Sequence, residues 1–194
     1  MKLKITTAKL PTVYGVFQII IYKSIKDGLE HVVLLNEANL KRPTLVRIHS
    51  QCLTGDVFSS LKCDCRDQLI MSLIKIGRQG GVLIYLNQEG RGIGLINKIK
   101  AYALQEKGLD TVEANKKLGF DTDLRDYKIA AQILKDIGIL KINLLTNNPD
   151  KVKQLRKYGI EVAKTTTLEI SPNNINHSYL STKKSKLGHL LKQV

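Results

Sequence analysis

The sequence predicts an α/β fold, a mixed β-sheet core flanked by helices, built as a single domain. Three observations predict it. β-branched, strand-like runs crowd the first fifty residues, and strands alternate with helices over residues 80–163. In addition, 43 % hydrophobic residues in a chain of 194 supply one core of moderate size.

Val13–Tyr22, His31–Leu35 and Thr44–His49 are β-branched segments bounded by Gly, Pro or charged residues. From Asp64 to Arg78, Leu69, Ile70, Leu73 and Ile74 recur at helical spacing, and Gly80–Gly81 stop the helix. Val82–Leu86 is a short, fully apolar strand. A glycine-rich turn, Gly90-Arg91-Gly92-Ile93-Gly94, leads into a helix ending near Gly108. Asp110 with Glu113 has capping-box spacing for another short helix. Arg125–Ile137 is read as helical and Lys141–Leu145 as a strand. Asn148-Pro149 then supplies an N-cap and a first-turn proline for a helix that ends at Gly159. These elements form a domain over residues 1–170, and residues 171–194, rich in Asn and Lys, read as a polar, basic, mobile tail.

Composition excludes several classes. The apolar content is too high for a disordered chain, and 14 glycines exclude a coiled coil. There is no run of about 18 apolar residues to span a membrane. Lys2 and Lys4 precede the Val13–Tyr22 run, but Gln18 interrupts it and no small-residue cleavage site follows. With no export signal, a reducing cytoplasm is expected, where three cysteines do not pair as disulfides. The formal charge of +14 calls for a polyanionic partner: nucleic acid, a membrane surface or a small, multiply charged substrate. With 5 % aromatics and no Trp, a stacking platform for single strands is poorly supported.

All three cysteines, Cys52, Cys63 and Cys65, fall within 14 residues in a C-x10-C-x-C pattern. Buried apolar thiols are the bland reading. Their clustering favours a metal, and thiolates favour zinc or iron–sulfur. A closed structural site would take His49 as a fourth ligand, whereas a catalytic site keeps that position open for water. The C-x-C pair differs from the usual C-x2-C knuckle and favours the open site. Three thiolates with a zinc-activated water recur in enzymes that attack a nucleobase ring carbon. The Gly90–Gly94 turn joins a strand to a helix, where backbone N–H groups can approach phosphate. Thr146 and Lys151 flank the Asn148-Pro149 helix start, a second place suited to anions.

Arg47-Ile48-His49-Ser50-Gln51-Cys52-Leu53-Thr54-Gly55-Asp56, with Cys63-Asp64-Cys65, closely resembles the zinc motif of GTP cyclohydrolase II. The likeness runs on through Gln88-Glu89-Gly90-Arg91-Gly92-Ile93-Gly94-Leu95, Asn97–Gln105, Asp110–Asn115, Leu118-Gly119-Phe120, Asp123-Leu124-Arg125-Asp126 and Leu144–Pro149. It reaches Lys186–Leu191, so it covers roughly residues 10–191 in order.

The resemblance implies a cytoplasmic, homodimeric hydrolase acting on GTP. It would release formate and pyrophosphate and leave 2,5-diamino-6-(5-phosphoribosylamino)pyrimidin-4(3H)-one, the opening step of riboflavin biosynthesis. One zinc ion per chain would sit on Cys52, Cys63 and Cys65, its water attacking C8 of guanine, with magnesium on the triphosphate. Tyr102 would orient that water or donate a proton at the ring. Asp123 and Arg125 resemble the base and nucleophile acting at the α-phosphate. Arginine stays protonated in proteins, which makes a phosphate clamp the rival role for Arg125. The resemblance assigns substrate contacts to Arg47, Ile48, His49, Ser50, Gln51, Gln68, Glu89, Gly90, Arg91, Thr111, Thr146 and Lys151. Either Gln68 or Glu89 could read the guanine edge. Nothing resembles the dihydroxybutanone phosphate synthase often fused upstream, so a stand-alone form is expected.

Departures are Gln51 where the family commonly has Glu, Arg66 where Gly is usual, and Asn87 where a basic residue is common. Two rivals follow: a relative that stops at the formamide, and a basic zinc module on nucleic acid closed by His49. Tyr102 argues against the first, and the motifs beyond the cysteines argue against the second, so no nucleic-acid and no membrane partner is expected.

Overall fold

The computed structural model describes residues 4–121 and 123–194; Lys2 lies outside the described residues. Strands β1 (Lys4–Thr12), β2 (Gly15–Lys23), β3 (Glu30–Asn36) and β4 (Thr44–Ser50) come first, followed by helices α1 (Leu53–Asp56) and α2 (Cys65–Gln79). Next are β5 (Gly81–Leu86), a 3-10 turn at Glu89–Gly92, α3 (Gly94–Gln105), α4 (Thr111–Lys117) and α5 (Lys128–Asp136). The chain continues through β6 (Lys141–Leu145), α6 (Pro149–Lys157), β7 (Glu161–Thr166) and α7 (His177–Leu187). The expected α/β class with a mixed sheet is what the chain adopts.

The chain forms two compact units from interleaved stretches. One holds the described residues up to His49 with Leu69–Asn87 and Asp126–Leu168; the other holds Ser50–Gln68, Gln88–Arg125 and Glu169–Val194.

The first unit carries a seven-stranded sheet in the order β1-β2-β3-β5-β4-β6-β7. β1, β2, β3 and β5 pair antiparallel in succession, whereas β4, β6 and β7 pair parallel. The apolar run of β5 is explained by burial on both faces. Val82, Ile84 and Leu86 join Ile20, Val33, Val46 and the α5 residues Ala130, Ala131, Ile133 and Leu134. Leu83 faces the other way, against Phe17 and Ile76. Each fully buried Val, Leu, Ile or Phe among these contributes about 1.5–3 kcal/mol.

Three local differences from the expected elements have physical causes. β1 escapes sequence reading because lysines and Pro11 dilute its pattern, but Pro is tolerated here because β1 is an edge strand. The expected strand at Val13 begins instead at Gly15. Thr12 pairs with Gly15 across the hairpin, which leaves Val13 in the turn, 92 % exposed. The helix expected from Arg125 starts at Lys128. Asp126 accepts the Lys128 N–H at 2.8 Å and Asp123 accepts that of Arg125 at 3.1 Å, so both side chains compete with helix for backbone donors.

In the second unit, the Asp110–Glu113 capping box at α4 forms in both directions. Residues 171–194, read as a tail, contain α7. Leu180 and Leu191 are buried, and Glu169 accepts the Lys192 and Gln193 backbone N–H groups. Among the described residues, no helix is long and apolar enough to cross a membrane.

Candidate functional site

The second unit brings the three cysteines together. Cys52 caps α1, and its N–H is held by Asp56 Oδ2 at 3.0 Å; Cys65 opens α2. The Sγ atoms of Cys52, Cys63 and Cys65 all lie within 4.8 Å of one another, Cys52 and Cys63 at 3.7 Å. Gly55 makes this possible. A Cβ there would stand 2.8 Å from Cys63 Sγ and 3.2 Å from Cys52 Sγ. Three soft donors around one point, with only an α-hydrogen on the Gly55 side, fit a zinc ion.

The thiols share their protons unequally. Hydrogen bonds from Cys63 and Cys65, then the Lys98 ammonium, hold the Cys52 thiol far below its ordinary pKa despite burial. Giving that hydrogen bond pushes Cys63 up to about 11, and Cys65 is raised for the same reason. A second and third thiolate beside the first therefore need a cation.

Helix α3 presents two side chains to this centre, Lys98 and Tyr102, one turn apart. Lys98 Nζ donates to Cys52 Sγ at 3.1 Å and to Glu89 Oε1 at 2.8 Å. Burial works against the ammonium, but the carboxylate and the thiol side more than offset it, and its pKa is raised. Thr54 Oγ1 bridges, 3.8 Å from Cys52 Sγ and 3.4 Å from the Tyr102 hydroxyl. Burial pushes the Tyr102 phenol up to about 12. Glu89 accepts the Leu53 N–H at 2.6 Å and the Gly90 N–H at 2.8 Å besides Lys98.

Asp123 and Arg125 form a forked ion pair, with Arg125 Nε 2.8 Å from Asp123 Oδ1 and its Nη2 on Oδ2. Burial alone would raise the Asp123 carboxyl; Arg125, with help from Arg91, holds it below the usual carboxylate range. The Leu124 N–H bonds the Arg91 carbonyl at 3.1 Å, tying this loop to the glycine turn. The Arg91 guanidinium stands 5.8 Å over Tyr179, and its two terminal nitrogens are buried with no hydrogen-bond partner among the described residues. A buried guanidinium in that state invites an anion.

In the first unit, other expected residues gather at the C-terminal ends of β4 and β6, which pair in parallel. Arg47 Nη1 donates to the Leu145 carbonyl at 3.1 Å, and Lys151 Nζ donates to the Ile48 carbonyl at 2.7 Å, 5.1 Å from the Tyr127 ring. Thr146 Oγ1 accepts the Asn148 N–H at 3.1 Å. His49, the candidate fourth ligand, stacks on Tyr85 with centroids 5.5 Å apart. The ligand set that converges is the three cysteines.

The match to a family model decides the relationship: residues 3–167 match GTP cyclohydrolase II. The chain belongs to the GTP cyclohydrolase II family. It is 53 % identical over 186 residues to the riboflavin biosynthesis protein RibBA of Chlorobium phaeovibrioides, covering 95 % of this chain and 45 % of that one. The RibBA of Aquifex aeolicus is 55 % identical over 190 residues, covering 96 % and 47 %. The chain thus spans about half the length of the curated relatives it matches, and the expected stand-alone form has no counterpart in these two. A two-domain 3,4-dihydroxy-2-butanone 4-phosphate synthase from A. baumannii, RibBX, superposes with a TM-score of 0.47 at 21 % identity. That match covers 84 % of this chain and 39 % of the other, too loose a likeness to argue from.

Within this member of the family, the remaining expected residues are local to the cysteine loop or to α4. Ser50 accepts from Gln88 Nε2 at 2.9 Å, and Gln68 donates to Asp64, which lies between two of the cysteines. Thr111 opens α4 directly after its cap. Of the departures, Arg66 donates to the Asp56 carbonyl at 3.2 Å and the Asn87 N–H bonds His31 Nδ1 at 3.1 Å. Nothing in the structure explains Gln51. Sequence reading missed Lys98, Thr54 and Gln88. For Lys98 a signal existed, its i, i+4 spacing to Tyr102.

Proposed function

We propose that this chain hydrolyses GTP with opening of the imidazole ring. The products are formate, pyrophosphate and 2,5-diamino-6-(5-phosphoribosylamino)pyrimidin-4(3H)-one, and the reaction serves riboflavin biosynthesis. The observation that carries the reading is the convergence of three thiols beside Tyr102 in a member of this family. Cys52, Cys63 and Cys65 would hold one zinc ion. Bound there, zinc supplies Lewis acidity that brings the pKa of water to about 7 at the guanine ring.

The chain's own groups divide the remaining work. Tyr102, with its phenol at about 12, keeps its proton at neutral pH and so acts as a donor or orienting group at the ring. Arg125, oriented by Asp123, clamps the α-phosphate, since a guanidinium bound to a carboxylate stays cationic. Arg91 offers its buried nitrogens to the triphosphate, which magnesium accompanies as part of the substrate. Ser50, Gln51, Gln68, Glu89, Gly90 and Thr111, with Arg47, Ile48, His49, Thr146 and Lys151, complete the substrate contacts. The enzyme works as a cytoplasmic homodimer.

Mass-resolved product analysis of zinc-loaded protein with GTP and magnesium tests this. All three products are expected. Pyrophosphate without formate would mean a reassigned ring site, with Gln51 the first suspect. No turnover, with steeply salt-dependent binding to any nucleic acid, would make the chain a basic zinc module. In Cys63→Ser, formate release is expected to fall to background while pyrophosphate release continues. Equal loss of both would overturn the division between ring and phosphate chemistry.

A further inference from the structure

A metal site of three thiols does not by itself require a buried ion pair, yet this one has it. Lys98 and Glu89 are 10 % and 8 % exposed and pair at 2.8 Å. Burying two charges is unfavourable unless their remaining bonding capacity is used. Here the hydrogen-bond partners beyond the pair belong to the cysteine loop and its neighbouring turn. Lys98 Nζ donates to Cys52 Sγ at 3.1 Å. Glu89 Oε2 accepts the N–H of Leu53, the residue after Cys52, at 2.6 Å, and Oε1 accepts that of Gly90 at 2.8 Å. Cys52 is therefore gripped twice, at its sulfur and at the peptide that follows it.

The backbone is shaped for this arrangement. Gly90 has φ 61°, and a Cβ there would lie 3.1 Å from Lys98 Cβ. The glycine turn read from sequence as a phosphate cradle thus also admits the lysine stem.

We propose that Lys98 and Glu89 are positioning residues of the metal centre. Lys98 donates to the Cys52 thiolate, and Glu89 anchors both Lys98 and the Leu53 amide. Three thiolates with one divalent cation carry a net charge of about −1, which the ammonium offsets, and an N–H···S bond withdraws donation from the sulfur. Both effects leave the metal a stronger Lewis acid. The inference rests on the zinc reading above.

The test uses the full chain with Lys98→Met, Lys98→Arg and Glu89→Gln. Zinc affinity is read by chelator competition, and the cobalt-substituted proteins are read by their thiolate-to-metal charge-transfer absorption. Lys98→Met is expected to weaken zinc binding about 10- to 100-fold. It should also shift the cobalt band and lower kcat for formate release with KM for GTP little changed. Lys98→Arg should recover part of each effect, and Glu89→Gln should shift the band in the same direction as Lys98→Met. If Lys98→Met loses its far-ultraviolet circular dichroism, the other two variants decide. Wild-type affinity and an unmoved band in the folded variants would overturn the inference and leave the zinc reading standing. So would a Glu89→Gln effect confined to KM. A wild-type chain that takes up neither zinc nor cobalt would overturn both.

Discussion

Gly55 shows how little separates an open thiol cluster from a blocked one. Its α-hydrogen faces Cys63 Sγ, and a methyl carbon in its place would stand 2.8 Å from that sulfur. The sulfur cannot yield without leaving its two partners. Gly55→Ala is therefore expected to cost about 1–3 kcal/mol of stability through overpacking. It should also lower bound zinc below one ion per chain, as read by a thermal melt and by metal analysis. Wild-type stoichiometry would mean that the loop relaxes. A glycine within a helical turn reads from sequence as a weak helix residue, because the sulfurs above it come from positions up to ten residues away. The cysteines themselves were legible, since their clustering is a property of the chain alone. Lys98 had only its i, i+4 spacing to Tyr102 to mark it, and a lone lysine on a helix is ordinarily solvated.

Helix α7 carries a buried ion pair to the cysteine loop. Lys183 donates at 2.9 Å to Asp64, which is 2 % exposed and also takes the Gln68 amide. Burial would raise the Asp64 carboxyl, but Lys183 and these hydrogen bonds hold it below the usual carboxylate range. Lys183→Met would strand a buried carboxylate between two cysteines, a loss of about 3–5 kcal/mol for a pair this enclosed. Faster hydrogen exchange along α7 and a lower Tm should follow, with Asp64→Asn partly restoring both. Exchange at the wild-type rate would show that the pair does not hold the helix. The sequence of α7 reads as polar because its apolar anchors are sparse. The capping box at α4 and the Asn148-Pro149 N-cap of α6, by contrast, were legible since each is complete within four residues.

Stability of the whole chain should carry the mark of one histidine. His31 is 4 % exposed, and its Nδ1 accepts the Asn87 N–H. Burial lowers its pKa, with Asp27 opposing weakly. The folded state thus binds its proton less readily than the unfolded state, whose histidine titrates near 6.5. The contribution is complete above about pH 6.5 and is lost as pH falls toward the depressed folded value, at up to about 1.4 kcal/mol per pH unit. Denaturant unfolding between pH 5 and 7 should show this slope in the wild type and a flatter one in His31→Gln. Parallel slopes would refute it.

The limits of sequence reading follow from range. Periodicity, caps, turn glycines and the order of motifs act between near neighbours, so the α/β class, most element positions and the clustering of the three cysteines were readable from the chain. Partners of buried charges act across the fold: Lys98 meets a sulfur 46 residues away, and Asp64 meets a lysine 119 residues away. A buried charge must find a counter-charge or a donor wherever the backbone brings one, and no local spacing rule encodes that encounter. Which lysine serves the metal centre, and which one docks α7, was therefore decided only by tertiary structure.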